Sequence, residues 1–403
     1  MKTMTKIFVL ICLGSSALGP PAGAADPPDV VRVLLGNWKS QLQVEPAYES
    51  ISSTRPGNII INKLSVNKTA GGGMPGMKLT IDAINLQNVS NEGNGLYEIG
   101  NASFTGMNMS ITNSQGVTYS VKAPGGAAES WYVQDAGANP APETALRASM
   151  NVAKKMTSGP FTVEAKGQTV ATAGGYESTW NGDPVTGAGA FTGKLAAVVV
   201  PESAMTQIDP AGTLKQLGYS DLIFDIEGGG KLDIGSGKMG GTFDIAYVGK
   251  DMGALKLSIG ASDIPLAVYG ELQKARASGK DPDFTALMPE LQNASFSGFT
   301  FRFEDNSITR KVLPMIASMQ GMDEATMVAN AGAVLQLGLM QLKNQAFTDQ
   351  VVGAVNSFLK DPRSITVDVK PPAPIKVQEL MMLNPATPGE AITKLGVSVT
   401  AND

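Results

Sequence analysis

The sequence predicts an α+β protein: a large antiparallel β-sheet, rich in meanders and partly covered by helices, with a helical cluster towards the C-terminus. Three observations predict it. Between 219 and 264, apolar residues fall on every second position in short runs. Glycine, 46 of 403 residues, separates those runs. From 307 to 360 the apolar period changes to three or four. A period of two places alternate side chains on opposite faces of a pleated strand, whereas a period near 3.6 lines one side of a helix.

The 219–264 stretch organises the rest. Its alternating residues are Leu222, Phe224 and Ile226; Leu232 and Ile234; Phe243, Ile245 and Tyr247; and Leu255, Leu257 and Ile259. Asp225, Lys231, Asp233, Asp244 and Lys256 lie between them. The runs are too closely spaced for helical crossovers, so neighbouring strands are expected to be antiparallel. One face is then oily and the other wet. Burying one such side chain contributes roughly 1.5–3 kcal/mol, so the oily face needs a cover: helices, a second sheet or a ligand.

Before this meander, the pattern predicts a helix over 28–42, where Val30, Val31, Leu34, Leu35 and Trp38 recur at helical spacing. Strands follow at 48–51 and 58–66 around a Pro56-Gly57 turn, then at 77–89, 96–99, 102–111 and 117–121. A second helix is expected over 143–156, with Lys154 and Lys155 near the end that favours positive charge. Strands at 161–170 and 190–200 precede a helical link over 202–217. The Ala-Ala-Val-Val-Val run at 196–200 suggests a strand buried on both faces.

After the meander, a helix is expected over 266–277, and Asp283 is placed to cap another through its side-chain oxygen. A strand at 296–303 leads into three amphipathic helices over 307–320, 323–343 and 348–360. The second has Met327, Ala331, Val334, Leu335, Leu339 and Leu342 as its oily stripe. Strands at 365–369 and 397–399 close the chain. The echo between Asn101-Ala-Ser-Phe-Thr-Gly106 and Asn293-Ala-Ser-Phe-Ser-Gly298 admits a duplicated β layer or the ordinary recurrence of small residues at strand starts.

The first 24 residues read as an export signal. Lys2 and Lys6 precede an apolar run at 7–13, and Ala22-Gly23-Ala24 fits a cleavage site. Cleavage after Ala24 removes those two lysines and takes the formal charge from −5 to −7. It also removes Cys12, the chain's one cysteine. No later run of about 18 apolar residues is seen, so no transmembrane span is expected in the mature chain. Residues 25–200 then form an N-terminal β-rich region, and 201–403 the meander with its C-terminal helices. The expected location is the periplasm.

Composition excludes much chemistry. There is no histidine and, after cleavage, no cysteine, so neither a Ser-His-Asp triad nor a thiol nucleophile nor a His/Cys zinc site can be built. Thirty-one basic against 36 acidic residues do not make the basic surface that nucleic acid requires. Gly235-Ser-Gly-Lys-Met-Gly240 fits a dinucleotide fingerprint by spacing, but strand alternation rather than a helix follows it, so it reads as a hairpin. Ser65-Val-Asn-Lys68 lacks the companion motifs of serine acyl-enzymes. Carboxylate pairs remain, at Asp225 and Glu227 and at Asp281 and Asp283. No catalytic, cofactor or metal residue is assigned, and no cofactor is expected.

Several segments carry a family likeness. They are Tyr48-Glu-Ser-Ile51, the run 58–66, Leu217-Gly-Tyr-Ser-Asp-Leu222, and Phe303-Glu-Asp-Asn-Ser307 leading into a helix. In these the chain resembles a group of uncharacterised exported proteins of alphaproteobacteria and, more distantly, AsmA-like and YdgA-like envelope proteins. The likeness implies a long, twisted β layer in a Gram-negative envelope with ties to lipid handling. Two functions are therefore expected to compete: a non-enzymatic carrier of lipid or another apolar molecule, and a structural or protein-interaction module without a ligand. The eleven apolar meander residues are the candidate site for the first and core for the second.

Overall fold

The computed structural model describes residues 28–403 apart from 43, 71–74, 114, 138–139, 207, 279–282 and 385. The export signal expected over 1–24 and Asp281 lie outside the described residues. Among those residues, seventeen strands join in one sheet, and every pairing is antiparallel. The fold is α+β.

Helix α1 (Asp29–Leu42) precedes a meander of β1 (Ser50–Arg55), β2 (Asn58–Lys68), β3 (Gly76–Gly93), β4 (Leu96–Thr112) and β5 (Thr118–Gln134). β5 is longer than either strand that follows it. β6 (Ala153–Ser158) pairs with its C-terminal half and β7 (Phe161–Ala165) with its N-terminal half, so the sheet forks. β7 turns into β8 (Gln168–Ala173), and β6 pairs with β9 (Gly175–Gly182). Both branches meet β10 (Gly189–Val200), β9 along eight residues and β8 through Val199 and Thr172 alone. The sheet then continues through β11 (Leu222–Gly235), β12 (Lys238–Gly249), β13 (Gly253–Pro265) and β14 (Ser295–Asp305). Beside β14 lie β15 (Ser364–Val369) and the short β16 (Ile375–Lys376), and β17 (Val397–Ala401) lies beside β15.

The densest core sits in the N-terminal half. Val31 and Leu34 of α1 are fully buried with Ile61 and Leu64 of β2, Leu86 of β3, Ile99 of β4, Val121 of β5 and Val198 of β10. The buried α1 residue Asn37 donates to the Gln134 carbonyl at 2.8 Å, so its amide is satisfied inside that core. Along β2 and β3 the buried set slips by one residue at the same level, from Ile61 to Leu64 and from Ile81 to Ile84. Lys63 has φ 48° there, and Gly106 on β4 lets the strand pass the Asp82 side chain.

The remaining helices are α2 (Pro142–Met150), α3 (Glu202–Met205), α4 (Thr213–Gln216), α5 (Leu266–Ser278), α6 (Phe284–Leu291), α7 (Ile308–Met319), α8 (Glu324–Leu339), α9 (Gln345–Lys360), α10 (Val377–Met381) and α11 (Pro388–Leu395). Asp283 caps α6 as expected, accepting from the Thr285 and Ala286 amides at 3.0 and 3.2 Å.

Several local expectations are corrected. The helix expected over 143–156 ends at Met150 because Asn151 turns left-handed, and Lys154 and Lys155 lie on β6 instead. The strand expected over 161–170 is the β7–β8 hairpin, turning at Lys166 and Gly167 with φ 52° and 78°. β4 is one strand where two were expected, and β5 runs on to Gln134. β10 is not buried on both faces: a bulge between Leu195 and Val198 turns Ala197 outward. The link over 202–217 contains α3 and α4 rather than one helix. On α8, Val328 and Gly332 face inward, whereas Val334 is 69% exposed.

Candidate functional site

Strand pairing sets the site. Ile226 pairs with Tyr247, Tyr247 with Leu255, Leu255 with Phe303 and Phe303 with Ile365. A parallel row runs from Gly228 through Ile245, Leu257 and Phe301 to Val367. A third runs from Phe191 through Gly230, Phe243, Ile259 and Phe299 to Val369. Directly paired residues share a face. All eleven candidate residues therefore lie on one face, with Phe224 opposite Gly249, Leu222 opposite Val200, Leu232 opposite Gly241 and Ile234 opposite Met239.

Sequence reasoning found β11–β13 but missed how far the face extends. Phe191 and Leu195 on β10 belong to it, as do Phe299, Phe301 and Phe303 on β14 and Val367 on β15. The Phe-x-Phe-x-Phe alternation at 299–303 was the available signal.

The face is covered at its margins. Leu222 and Phe224 pack against the N-terminal core. Ile234 lies close to Gly187, as does Met150 of α2, so α2 reaches that corner. Helix α5 continues from β13 and meets α2 through the Tyr269 and Ser149 hydroxyls. On the far side α9 packs on β15 and β17, and Phe358 meets the Phe303 ring edge-on at 6.0 Å. Helix α7 starts where Ser307 and Tyr219 meet, 2.8 Å between hydroxyls, beside the β12–β13 turn. Lys311 of α7 lies 3.8 Å from the Tyr219 ring centroid.

The middle is open. Phe243 and Ile259 are adjacent on paired strands, and each is 48% exposed. The other nine candidates are half-buried. Beside Phe243, β11 presents Gly228 and Gly230 instead of side chains. The Phe191 and Phe243 rings, 6.4 Å apart, approach each other across Gly230. Gly230 is required for the backbone: its φ is 153°, and a Cβ would lie 2.1 Å from the Thr242 carbonyl oxygen. At Gly228 a Cβ would meet only the Asp244 carbonyl, at 3.7 Å. The result is an apolar trough with an aromatic pair, two glycines on β11 in place of side chains, and helices along its edges.

The opposite face is polar and paired. Lys194 bridges Asp225 at 2.6 Å and Glu227 at 2.9 Å. Asp225 also accepts the Ala197 amide of the β10 bulge at 2.7 Å. Lys194 and that amide hold the Asp225 carboxyl below its ordinary range, and the two carboxylates push Lys194 up to about 12. Further along, Arg302 contacts Glu304 at 2.9 Å and Asp403 at 2.8 Å, and Lys256 reaches Glu304 at 2.7 Å. These carboxylates are held by cations and by backbone amides, in the arrangement of a sheet surface. Asp283 is occupied as a cap. Among the described residues, no group of three or more acidic side chains converges as a metal site.

A family model described as an uncharacterised protein matches residues 246–402, from the end of β12 to β17. No curated protein matches the chain. Neither finding attaches a catalytic family.

Proposed function

We propose that the protein is a non-enzymatic envelope protein that holds a lipid or another apolar molecule in the trough over β10–β14. The observation that carries this reading is the exposure of Phe243 and Ile259, side by side at the centre of an otherwise sheltered apolar face. Covering the exposed half of each would contribute about 1 kcal/mol per residue, before the gains at Ile226, Ile245 and Leu257. A flexible hydrocarbon suits the site because the face is apolar and carries no side chain at Gly228 and Gly230, beside the Phe191–Phe243 pair. Few polar groups on that face would fix the orientation of a rigid, polar molecule.

Two features of the sequence support the setting. The export signal over 1–24 directs the chain to the periplasm, and the likeness to AsmA-like and YdgA-like envelope proteins accords with lipid handling. The competing reading is a structural or interaction module whose own helices complete the cover. The seating of Phe358 on Phe303 favours it.

Protein purified natively from its own envelope and analysed by mass spectrometry distinguishes the two. The carrier reading expects co-purifying lipid in near-stoichiometric amount and its loss in the Phe243→Asp variant. Ligand-free protein that also takes up no fluorescent fatty acid would leave the module reading standing.

A further inference from the structure

Helix α8 poses a separate problem. From Ala325 to Leu342 the chain carries no charged residue. With the 3-10 turn Met340–Leu342, the segment Glu324–Leu342 is long and apolar enough to cross a membrane, yet only 11% of its apolar window is buried. An ordinary surface helix turns a charged side to water. Here the inward side packs on α9, where Gly332 approaches the Asn356 amide closely. The outward side presents Val334, Leu337 and Met340, which are 69%, 68% and 62% exposed. At the turn into α8, Met319 of α7 is 80% exposed and Ile316 36%.

We propose that the α7–α8 hairpin is a docking face for the surface of a phospholipid bilayer, with α8 lying along the interface rather than crossing it. Three arguments select a bilayer. A face without charge meets the requirement of the hydrocarbon boundary over its whole length, and this segment satisfies the composition of a membrane helix. A second copy is a poor occupant: sixteen residues give a helix about 24 Å long and about 10 Å wide. With the twelve-residue α7, about 18 Å long, the hairpin offers about 400 Å² of face, short of the roughly 800 Å² per partner of a stable interface. Crossing is opposed because α8 is tied down along its length. Asp323 caps it by accepting the Thr326 amide at 2.8 Å, its middle abuts α9, and Asn344 caps α9 directly beyond the 3-10 turn.

Charge sets the lipid dependence. The chain carries a formal net charge of −5, and α8 carries one negative charge, Glu324 at its first position, so attraction to anionic headgroups contributes little. Binding should occur on neutral phosphatidylcholine vesicles and survive high salt.

The test is flotation of the full mature chain with phosphatidylcholine vesicles, comparing wild type with the V334D/L337D pair. Both positions point outward, so the pair should keep the wild-type circular dichroism. Wild type is expected to float, and the pair to partition about tenfold more weakly or worse. Emission from the indole of an L337W variant should shift blue on vesicles and be quenched by brominated phosphatidylcholine. The F243D variant, altered in the trough and not in the hairpin, should float like wild type, so lipid carriage and docking are scored apart. The proposal is overturned if wild type stays at the bottom, if the Asp pair floats equally, if F243D alone abolishes flotation, or if the Asp pair dissolves a dimer that wild type forms in solution.

Discussion

Two glycines two positions apart on the same strand should respond oppositely to the same substitution. At Gly230, alanine would place its Cβ 2.1 Å from the Thr242 carbonyl oxygen and 3.1 Å from the Phe243 Cα, at a φ of 153°. The backbone cannot retreat easily, because Gly230 is paired with Phe191 on one side and Phe243 on the other. The φ alone costs about 1–3 kcal/mol. Forcing β11 from β12 loses hydrogen bonds worth about 1 kcal/mol each. Gly230→Ala should therefore destabilise by about 3–5 kcal/mol. At Gly228 the nearest atom is 3.7 Å away, so alanine fits. Reduced freedom of the unfolded chain then makes Gly228→Ala neutral or stabilising by up to about 1 kcal/mol. Urea unfolding followed by far-ultraviolet circular dichroism reads both. Equal midpoints for the two variants would show that the β11–β12 register is not the one described.

Other outcomes follow from the same contacts. Phe358→Ala removes the ring that covers Phe303 and should cost about 3 kcal/mol in thermal or urea unfolding. Asp283→Ala should cost about 1 kcal/mol by uncapping α6, and serine at that position should restore most of it. Asp225→Ala leaves the Ala197 amide to water and deprives Lys194 of one partner, a loss of about 1 kcal/mol after solvent screening. Its pH dependence has a definite sign. The Asp225 carboxyl titrates below its ordinary 3.8, so its contribution is present at neutral pH and lost as pH falls through that lowered value. Lys194, raised to about 12, contributes fully below its ordinary 10.5 and loses its contribution as pH rises through about 12. Wild type and variant should therefore converge in stability at strongly acid pH, measured by unfolding at pH 2 and pH 7.

The parts of the fold that were legible in the sequence are those where one rule acts alone. The alternation at 222–226, 243–247 and 255–259 is unbroken, and those strands and their common face lie where period two places them. The helix at 345–360 likewise follows its stripe, whereas on 308–319 the buried residues are Leu313 and Ala317, and Met319 of the apolar stripe is exposed. Legibility failed where tertiary pairing overrides local pattern. β5 runs straight through Pro124-Gly125-Gly126, a sequence that reads as a turn, because β4 pairs with it on both sides of that point. β9 was missed because Gly175-Tyr-Glu-Ser-Thr-Trp180 alternates weakly and acquires its place from β6 and β10. Lys154 and Lys155 suit a helix end by charge, but the left-handed Asn151 stops the helix first. For the trough, sequence supplied the apolar side chains. Which residues stand opposite Gly228 and Gly230 is fixed only by the register.

The unequal sheltering of the sheet's two halves has a dynamic consequence. Around α1 the strands are clamped by side chains with no access to water, so their amides can exchange only when that whole unit opens. None of the eleven alternating side chains of β11–β13 is so enclosed. Those strands hold together chiefly through their own ladders and can breathe one hairpin at a time. The molecule thus combines a stiff grip with a compliant blade, and the compliant part is the one that would have to part for a long chain to slip in edgewise.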